Sequence, residues 1–344
     1  MPQPSPVTSE TELFFTEGGN GVPPTYPGPD WFNTIQSELL NILRDAGLDP
    51  DKMDNTQILA ALKKLFLSRS NPFGDIKTDG AVAIATALSN LQLRESFSGV
   101  VGTSRNSKMS VTAATSTATF TADELIVETA TGQQYRLNAF NKTVNLGSLG
   151  AGGMDAGTVP ASGFIALYAI FNPTNGAAAL LAVDATNSIM PDVYDGESMP
   201  AGYTASSLVS VWRIESSKLV AGVQNGRDIS IEKQTALTST GRVGALTALS
   251  IAAITPKNAK AVSGYTSIYS TNGAGGLVID IASTSGGLGY ISTGGYTGVA
   301  GIGANGQFSD LALITPQTMY YDINPLGTAV SSWSALIAIS RYSI

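Results

Sequence analysis

The sequence predicts a mainly β chain with a small helical head, and three observations carry that reading. Apolar residues at helical steps of three and four cluster in two short stretches between Asp30 and Leu65, and recur weakly around Ile84. From about Lys108 onward, Val- and Thr-rich runs partly alternate at the two-residue period of a half-buried strand. The remainder is punctuated by turn chemistry: Asn175-Gly176, Asn225-Gly226, and 13 glycines between Gly264 and Gly306.

Residues 1–67 read as an extended Pro/Gly-rich lead (Pro2 to Pro29) followed by two helices. Asp30 is the expected N-cap before Trp31, and Gly47 sits where a glycine ends a helix. Phe32, Ile35, Leu39, Ile42 and Ala46 then share one face. A second helix follows Asp54, with Ile58, Leu62 and Leu65 on one stripe. The linker GLDPDKMD is short enough to fold the two into a hairpin. That hairpin either packs on itself or serves as a docking or trimerising module through Trp31, Phe32, Ile35, Leu39 and Ile42. A seam so short leaves oligomeric state open.

Residues 68–109 read as a neck, with Ile84, Leu88 and Leu91 at helical spacing between Gly80 and Gly99. Residues 110–234 are the expected β-sandwich-like middle domain. FIALYAIFNPTNGAAALLAV is one hairpin candidate, and LVSVWRIESSKLVAGVQNGRDISI holds another. Residues 235–344 are the expected C-terminal tip, with strands at LVIDIAS, GLGYIS, ALITPQTMYYDI and SALIAISRYSI. Gly-Gly pairs at 275–276, 286–287 and 294–295 are read as tight turns or loops.

Composition excludes more chemistry than it suggests. The 344 residues contain no His and no Cys, which removes Ser-His-Asp triads, thiol nucleophiles, imidazole switches and His/Cys metal sites. Charged residues make up 13% of the chain, a little over half of the roughly 25% usual in soluble domains. The net charge of -7 argues against binding a nucleic-acid backbone. The opening MPQPSPVTSETELFF has neither a basic nor an apolar region, so no secretory signal peptide is expected. The longest apolar run, Phe164 to Phe171, is far short of the roughly 20 residues that span a bilayer, so no membrane insertion is expected. Charge is also unevenly placed. Residues 235–344 hold only seven of the 45 formal charges: Arg242, Lys257, Lys260, Asp280, Asp310, Asp322 and Arg341. A surface so neutral is either buried against other copies or is itself the binding surface.

Three chemical readings remain. The glycine-rich stretches lack the following helix and Lys-Ser/Thr of a phosphate loop, and no Lys follows Lys260. Paired carboxylates among Asp280, Asp310 and Asp322 would permit glycoside hydrolysis, but spacing in sequence cannot bring two across a sugar. MPDVYDGESMP reads as a solvated loop whose Asp192, Asp195 and Glu197 offer hard oxygen ligands for calcium. The third reading is recognition of neutral sugars. Tyr265, Tyr269, Tyr290, Tyr296, Tyr320, Tyr321 and Trp333 interleave with amides and hydroxyls, although any one of them is equally at home in a core. The candidate receptor-binding residues are Tyr290, Tyr296, Asp310 and Trp333; no catalytic residue and no cofactor is assigned.

Taken together, PGPDWFNTIQSELLNILRDAGLDPD, NPFGDIKTDGAVAIATALSNLQL, FNKTVNLGSLGAGGMDAGTVPASGFIALYAIFNPTNG and the ending ITPQTMYYDINPLG to AISRYSI resemble the tail fibres of contractile-tailed bacteriophages and related phage-tail-like bacteriocins. The resemblance implies an elongated homotrimeric fibre in the virion tail, assembled in the host cytoplasm. Its N-terminus would join a tail or baseplate protein. Its tip would bind a bacterial surface polysaccharide such as lipopolysaccharide, and a separate chaperone would assist assembly. A glycan-depolymerising tailspike and a structural tail adaptor are the alternatives.

Overall fold

The computed structural model describes residues 14–66, 73–91, 99–270, 275–297, 301–326 and 332–344. The first part of the Pro/Gly-rich lead, the ends of the neck at 67–72 and 92–98, and the glycine-rich stretches at 271–274 and 298–300 lie outside the described residues. The chain divides into two compact units, residues 1–94 and 95–344. Among the described residues no helix is long and apolar enough to cross a membrane.

In the first unit, helix α1 (Pro29–Asp45) begins earlier than predicted. Gly28 is the N-cap and Pro29 takes the first helical position, where its fixed φ and missing N–H fit; Asp30 lies inside the first turn instead of capping it. The end follows the prediction. Gly47 adopts φ 66°, Gly47 N–H donates to Arg44 O at 2.9 Å, and Leu48 N–H donates to Leu43 O at 2.8 Å, a Schellman closure. Helix α2 (Gln57–Leu65) returns after a linker tied by Gln57, whose side chain accepts from Asp51 N–H and donates to Asp49 O. Two shorter helices, α3 (Gly74–Thr78) and α4 (Ala81–Asn90), follow around Gly80 at φ 91°.

The hairpin core is small: Leu43, Ala46 and Ala61 are buried, with Ile42, Leu48 and Ile58 packed on them. The predicted apolar face is therefore only partly used. Ala46 and Ile42 pack inward, while Phe32, Ile35 and Leu39 stay 56%, 41% and 43% exposed. The inward direction is shifted toward Leu43, which belongs to the same side of α1 one residue round from Ile42.

The second unit is antiparallel β throughout its named strands. Its first part holds β1 (Ser104–Arg105), β2 (Lys108–Val111), β3 (Thr117–Thr129), β4 (Gln134–Asn145), β5 (Ser162–Asn172) and β6 (Ala177–Asp184). Then come β7 (Ala205–Glu215), β8 (Lys218–Leu219), β9 (Gly222–Asn225) and β10 (Asp228–Ser239). Both predicted hairpin regions form. Asn172 pairs with Ala177 across a turn containing Gly176 at φ 75°, and Asn225 pairs with Asp228 beside Gly226 at φ 59°. One turn was invisible in sequence: Ser216 and Ser217 both take left-handed φ, joining β7 to β8 without glycine or asparagine.

The later part comprises β11 (Val243–Ser250), β12 (Ala261–Ser270), β13 (Gly275–Ala282), β14 (Ile291–Thr297), β15 (Ile302–Ala312), β16 (Thr318–Leu326) and β17 (Ser334–Ser343). A 13-stranded sheet runs in the order β15-β12-β17-β10-β9-β2-β3-β7-β5-β6, with β1 and β4 attached to β3 and β8 to β7. A second sheet of four strands runs β11-β16-β13-β14. Strand β10 spans positions 234 and 235, so the large sheet continues from the middle segment into the later one.

Two Gly-Gly pairs predicted as turns are instead part of strands: 275–276 opens β13 and 294–295 lies inside β14. Close packing explains them. A Cβ on Gly276 would stand 2.6 Å from Leu326 Cβ, and one on Gly294 3.1 Å from Val278 Cβ. Only 286–287 lies in a turn region, with Gly287 N–H donating to Thr284 O.

One hydrophobic core serves the second unit. Strands β5, β7 and β13 are buried along nearly their whole length, so burial does not alternate along them, and β7 and β13 carry buried serines and Asp280 among their apolar residues. Two buried side-chain N–H groups find backbone acceptors. Trp212 Nε1–H donates to Val220 O at 2.9 Å, and Gln224 Nε2–H donates to Val209 O at 2.7 Å. Tyr342 of β17 is buried and donates its hydroxyl to Val211 O of β7 at 2.8 Å, across 131 residues of sequence.

Two substitutions test this packing by urea unfolding. Gly264→Ala should lower stability on the order of 2 kcal/mol, because its Cβ would meet Ala338 O at 1.9 Å. Tyr342→Phe should cost about 1 kcal/mol through loss of the hydroxyl bond alone.

Candidate functional site

Three irregularities in neighbouring strand pairs fall on one row of the large sheet. Between β12 and β15 the register steps from Val262↔Leu311 to Gly264↔Phe308, so Ser309 and Asp310 oppose the single Ser263. Between β12 and β17 it steps from Ser263↔Arg341 to Gly264↔Ile339, which leaves Ser340 as the extra residue. Between β10 and β17 it steps from Ser230↔Arg341 to Gln234↔Ile339. Bulges bend strands and re-aim side chains. Here they coincide with an open groove of about 950 Å3, whose lining includes Ser230, Ser263, Tyr265, Asn305, Gln307, Ser309 and Arg341.

Asp310 sits at the end of that row with φ 53°, the one charged residue among those described that holds a left-handed backbone. Arg341 Nη2–H donates to its Oδ1 at 2.8 Å. Ser263 Oγ accepts from Asp310 N–H at 3.0 Å. Both side chains of the ion pair reach solvent, at 64% exposure for Asp310 and 35% for Arg341.

A second polar cluster lies in the small sheet. Asp280 of β13 stands directly across from Asp322 of β16 on one side and from Ser292 of β14 on the other. Both carboxyls are buried, and Oδ1 of each has no hydrogen-bond partner in the protein. The two side chains are hydrogen-bonded to one another, and burial together with that contact raises Asp322 to about 6 despite a hydrogen bond from Asn324. The Tyr290 hydroxyl also bonds Asp280, which raises the phenol well above its ordinary range. Carboxyls in hydrogen-bond contact are closer than the roughly 5–9.5 Å at which glycosidases hold their acid and base across a sugar.

The predicted receptor-binding residues are distributed over both sheets. Tyr296 belongs to β14 of the small sheet and Tyr290 immediately precedes that strand; they are 64% and 52% exposed. Asp310 lies on β15 beside the groove, next to its lining residue Ser309 and paired with its lining residue Arg341, and Trp333, just before β17, is partly buried against the core. Of the other aromatics, Tyr265 lines the groove, Tyr269 is exposed, and Tyr320 and Tyr321 are half-buried. Arg341, Ser263 and Ser230 were not singled out by sequence, because no local motif joins residues drawn from three separate strands.

The loop around MPDVYDGESMP is organised by tyrosine. Tyr194 is buried, receives a backbone N–H from Ser198 and donates to Asp155 Oδ2 at 3.0 Å. Burial pushes its phenol up to about 12. Tyr168 donates to Pro191 O at 2.8 Å. Asp192, Asp195 and Glu197 do not form a ligand set: among the described residues no group of three or more acidic side chains converges on a metal position.

In the first unit, Trp31 makes edge-to-face contacts with Phe15 and Phe32 at 5.8 and 5.2 Å. A groove of about 700 Å3 runs beside Phe32, Ile35, Leu39 and Leu43 toward Ile58. Its floor is apolar, and Phe32, Ile35 and Leu39 remain substantially exposed.

No family model matches the chain. Similarity to curated proteins points in one direction. The chain is 44% identical over 92 residues to the Mu-like prophage FluMu defective tail fiber protein of Haemophilus influenzae. It is 39% identical over 97 residues to Tail fiber protein S of Escherichia phage Mu, and 46% identical over 83 residues to the protein StfP of Escherichia coli. These matches cover 26%, 27% and 24% of this chain, and 15%, 19% and 39% of the respective relatives. Over that quarter of the chain the resemblance to phage tail fibres stands, and it implies a component of the virion tail.

The carboxyl pair makes stability depend on pH. Asp322 is raised from an ordinary value of 3.8 to about 6 in the folded protein, so the folded state binds more protons between those values. The contribution is fully present below about pH 4 and is lost as pH rises through about 6, a change on the order of 2 kcal/mol. Urea unfolding at pH 4, 5, 6 and 7 should show that decline, and Asp322→Asn should flatten it.

Proposed function

We propose that this protein is a receptor-binding tail fibre that recognises a polysaccharide on the bacterial surface, lipopolysaccharide being the probe of choice. The carrying observation is identity of 39–44% to two tail fibre proteins, in a chain whose second unit is antiparallel β with a neutral polar surface. The reading assigns the two units different tasks. The first joins the particle through the exposed apolar face of α1, and the second meets the cell.

Physical considerations support that division. Trp31, Phe32, Ile35 and Leu39 are too apolar to be left in water without a partner, and they cluster on one short helix. The β unit instead presents hydroxyls, amides and exposed tyrosines with few charges, a composition suited to ligands that carry hydroxyls and little charge. The fibre is proposed to be a homotrimer, which hides part of that neutral surface, and to need a chaperone while its strands pair. Recognition without chemistry is the favoured mode, since the Asp280–Asp322 pair lies in direct contact instead of at the spacing for glycoside cleavage.

Purified protein should block adsorption of its phage to a susceptible strain and fail to do so on an O-antigen-deficient derivative; equal blocking on both would remove the O-antigen version of the proposal. Light scattering should return about three times the 35.5 kDa chain mass. The double variant Phe32→Ser, Ile35→Ser should no longer enter particles, yet should still compete for adsorption when added as free protein.

A further inference from the structure

The bulged row across β10, β17, β12 and β15 brings together features that fold stability alone does not explain. Ser230, Arg341, Ser263 and Asp310 follow one another across four adjacent strands. An exposed ion pair contributes little to stability. Yet here it is attached to a left-handed aspartate in a strand and to three coincident register shifts. Strain held at such a position marks a site where geometry serves something other than packing. The groove it borders, about 950 Å3, is at the upper end of the range for small-ligand pockets.

We propose that this groove is the saccharide-binding subsite of the chain and that it takes a neutral sugar unit, with Asp310 and Arg341 engaging adjacent hydroxyls. The inference rests on the glycan-binding reading above and adds the place and the ligand's charge. An ionised carboxylate has about four acceptor positions. Arg341 and Ser263 both approach Oδ1, and the side chain is 64% exposed, so Asp310 retains acceptor capacity for sugar hydroxyls. Arg341 supplies donors from a fixed planar fork. Together the pair is neutral, which disfavours phosphate or a sugar acid over a plain hexose. Tyr265 in the lining offers a ring face to the apolar side of a sugar, and Gln307, directly opposite Tyr265 on β15, offers an amide.

The test is binding of full-length protein to an array of purified Gram-negative O-polysaccharides, both neutral and acidic. Wild type should bind at least one neutral polymer. Asp310→Asn, which tolerates the left-handed backbone, and Arg341→Gln should each weaken that binding about tenfold or more. Gln307→Ala, on the exposed rim, should weaken it less, and all three should keep the wild-type thermal midpoint and molecular mass. Wild-type binding that survives all three substitutions overturns the groove and leaves the glycan reading standing. Binding confined to acidic polymers overturns the neutral ligand. Wild type that binds no polysaccharide ends the glycan reading and this proposal with it. A change in molecular mass on substitution makes the groove a contact between copies and also overturns it.

Discussion

The structure depends on where β17 is inserted. It lies between β10 and β12, paired to both, and its Tyr342 reaches through the core to the backbone of β7. Its two neighbours are separated from it by roughly 70 to 110 residues of chain, so every pairing it makes is long-range. Without β17 the sheet has two unpaired edges in its interior, at β10 and at β12, each flanked by apolar side chains. Strands in that condition seek any partner available.

The same insertion creates the polar row. Arg341 lies on β17, Ser230 on β10, Ser263 on β12 and Asp310 on β15. None of these residues is near another in sequence, and only the strand order makes them neighbours. The groove is therefore a property of the closed sheet. Contrast the apolar face of α1, which is built from one helix and needs only local structure to exist.

That contrast explains what was legible in the sequence. Gly47 as a helix terminator, the Asn175-Gly176 turn and the strands at LVIDIAS and SALIAISRYSI follow from patterns within a few residues and are present, whereas GLGYIS is mostly turn and ALITPQTMYYDI becomes a strand only from Thr318. Asp30 failed as an N-cap because Pro29 itself starts the helix. The Gly-Gly pairs at 275–276 and 294–295 failed as turns because glycine serves close packing as readily as positive φ, and only the neighbours reveal which. The acidic residues of the later segment illustrate the limit. Asp280, Asp310 and Asp322 look alike in sequence, yet two face one another, buried, inside one sheet while the third pairs with Arg341 on another. Register decides between those roles, and register is not written locally.

The glycine contacts divide the later segment into positions that are fixed by space and positions that are free. Gly264, Gly276 and Gly306 each stand where a Cβ would lie less than 3 Å from a neighbour, at Ala338, Leu326 and Thr293 respectively. Around them, Asn305 and Gln307 face solvent on the same strand as Gly306. The rim side chains can therefore change one at a time while the glycines keep neighbouring strands, and at Gly306 the two sheets, in close contact. The cramped interior thereby confers evolvability on the surface: its chemistry can drift without the fold having to be solved again.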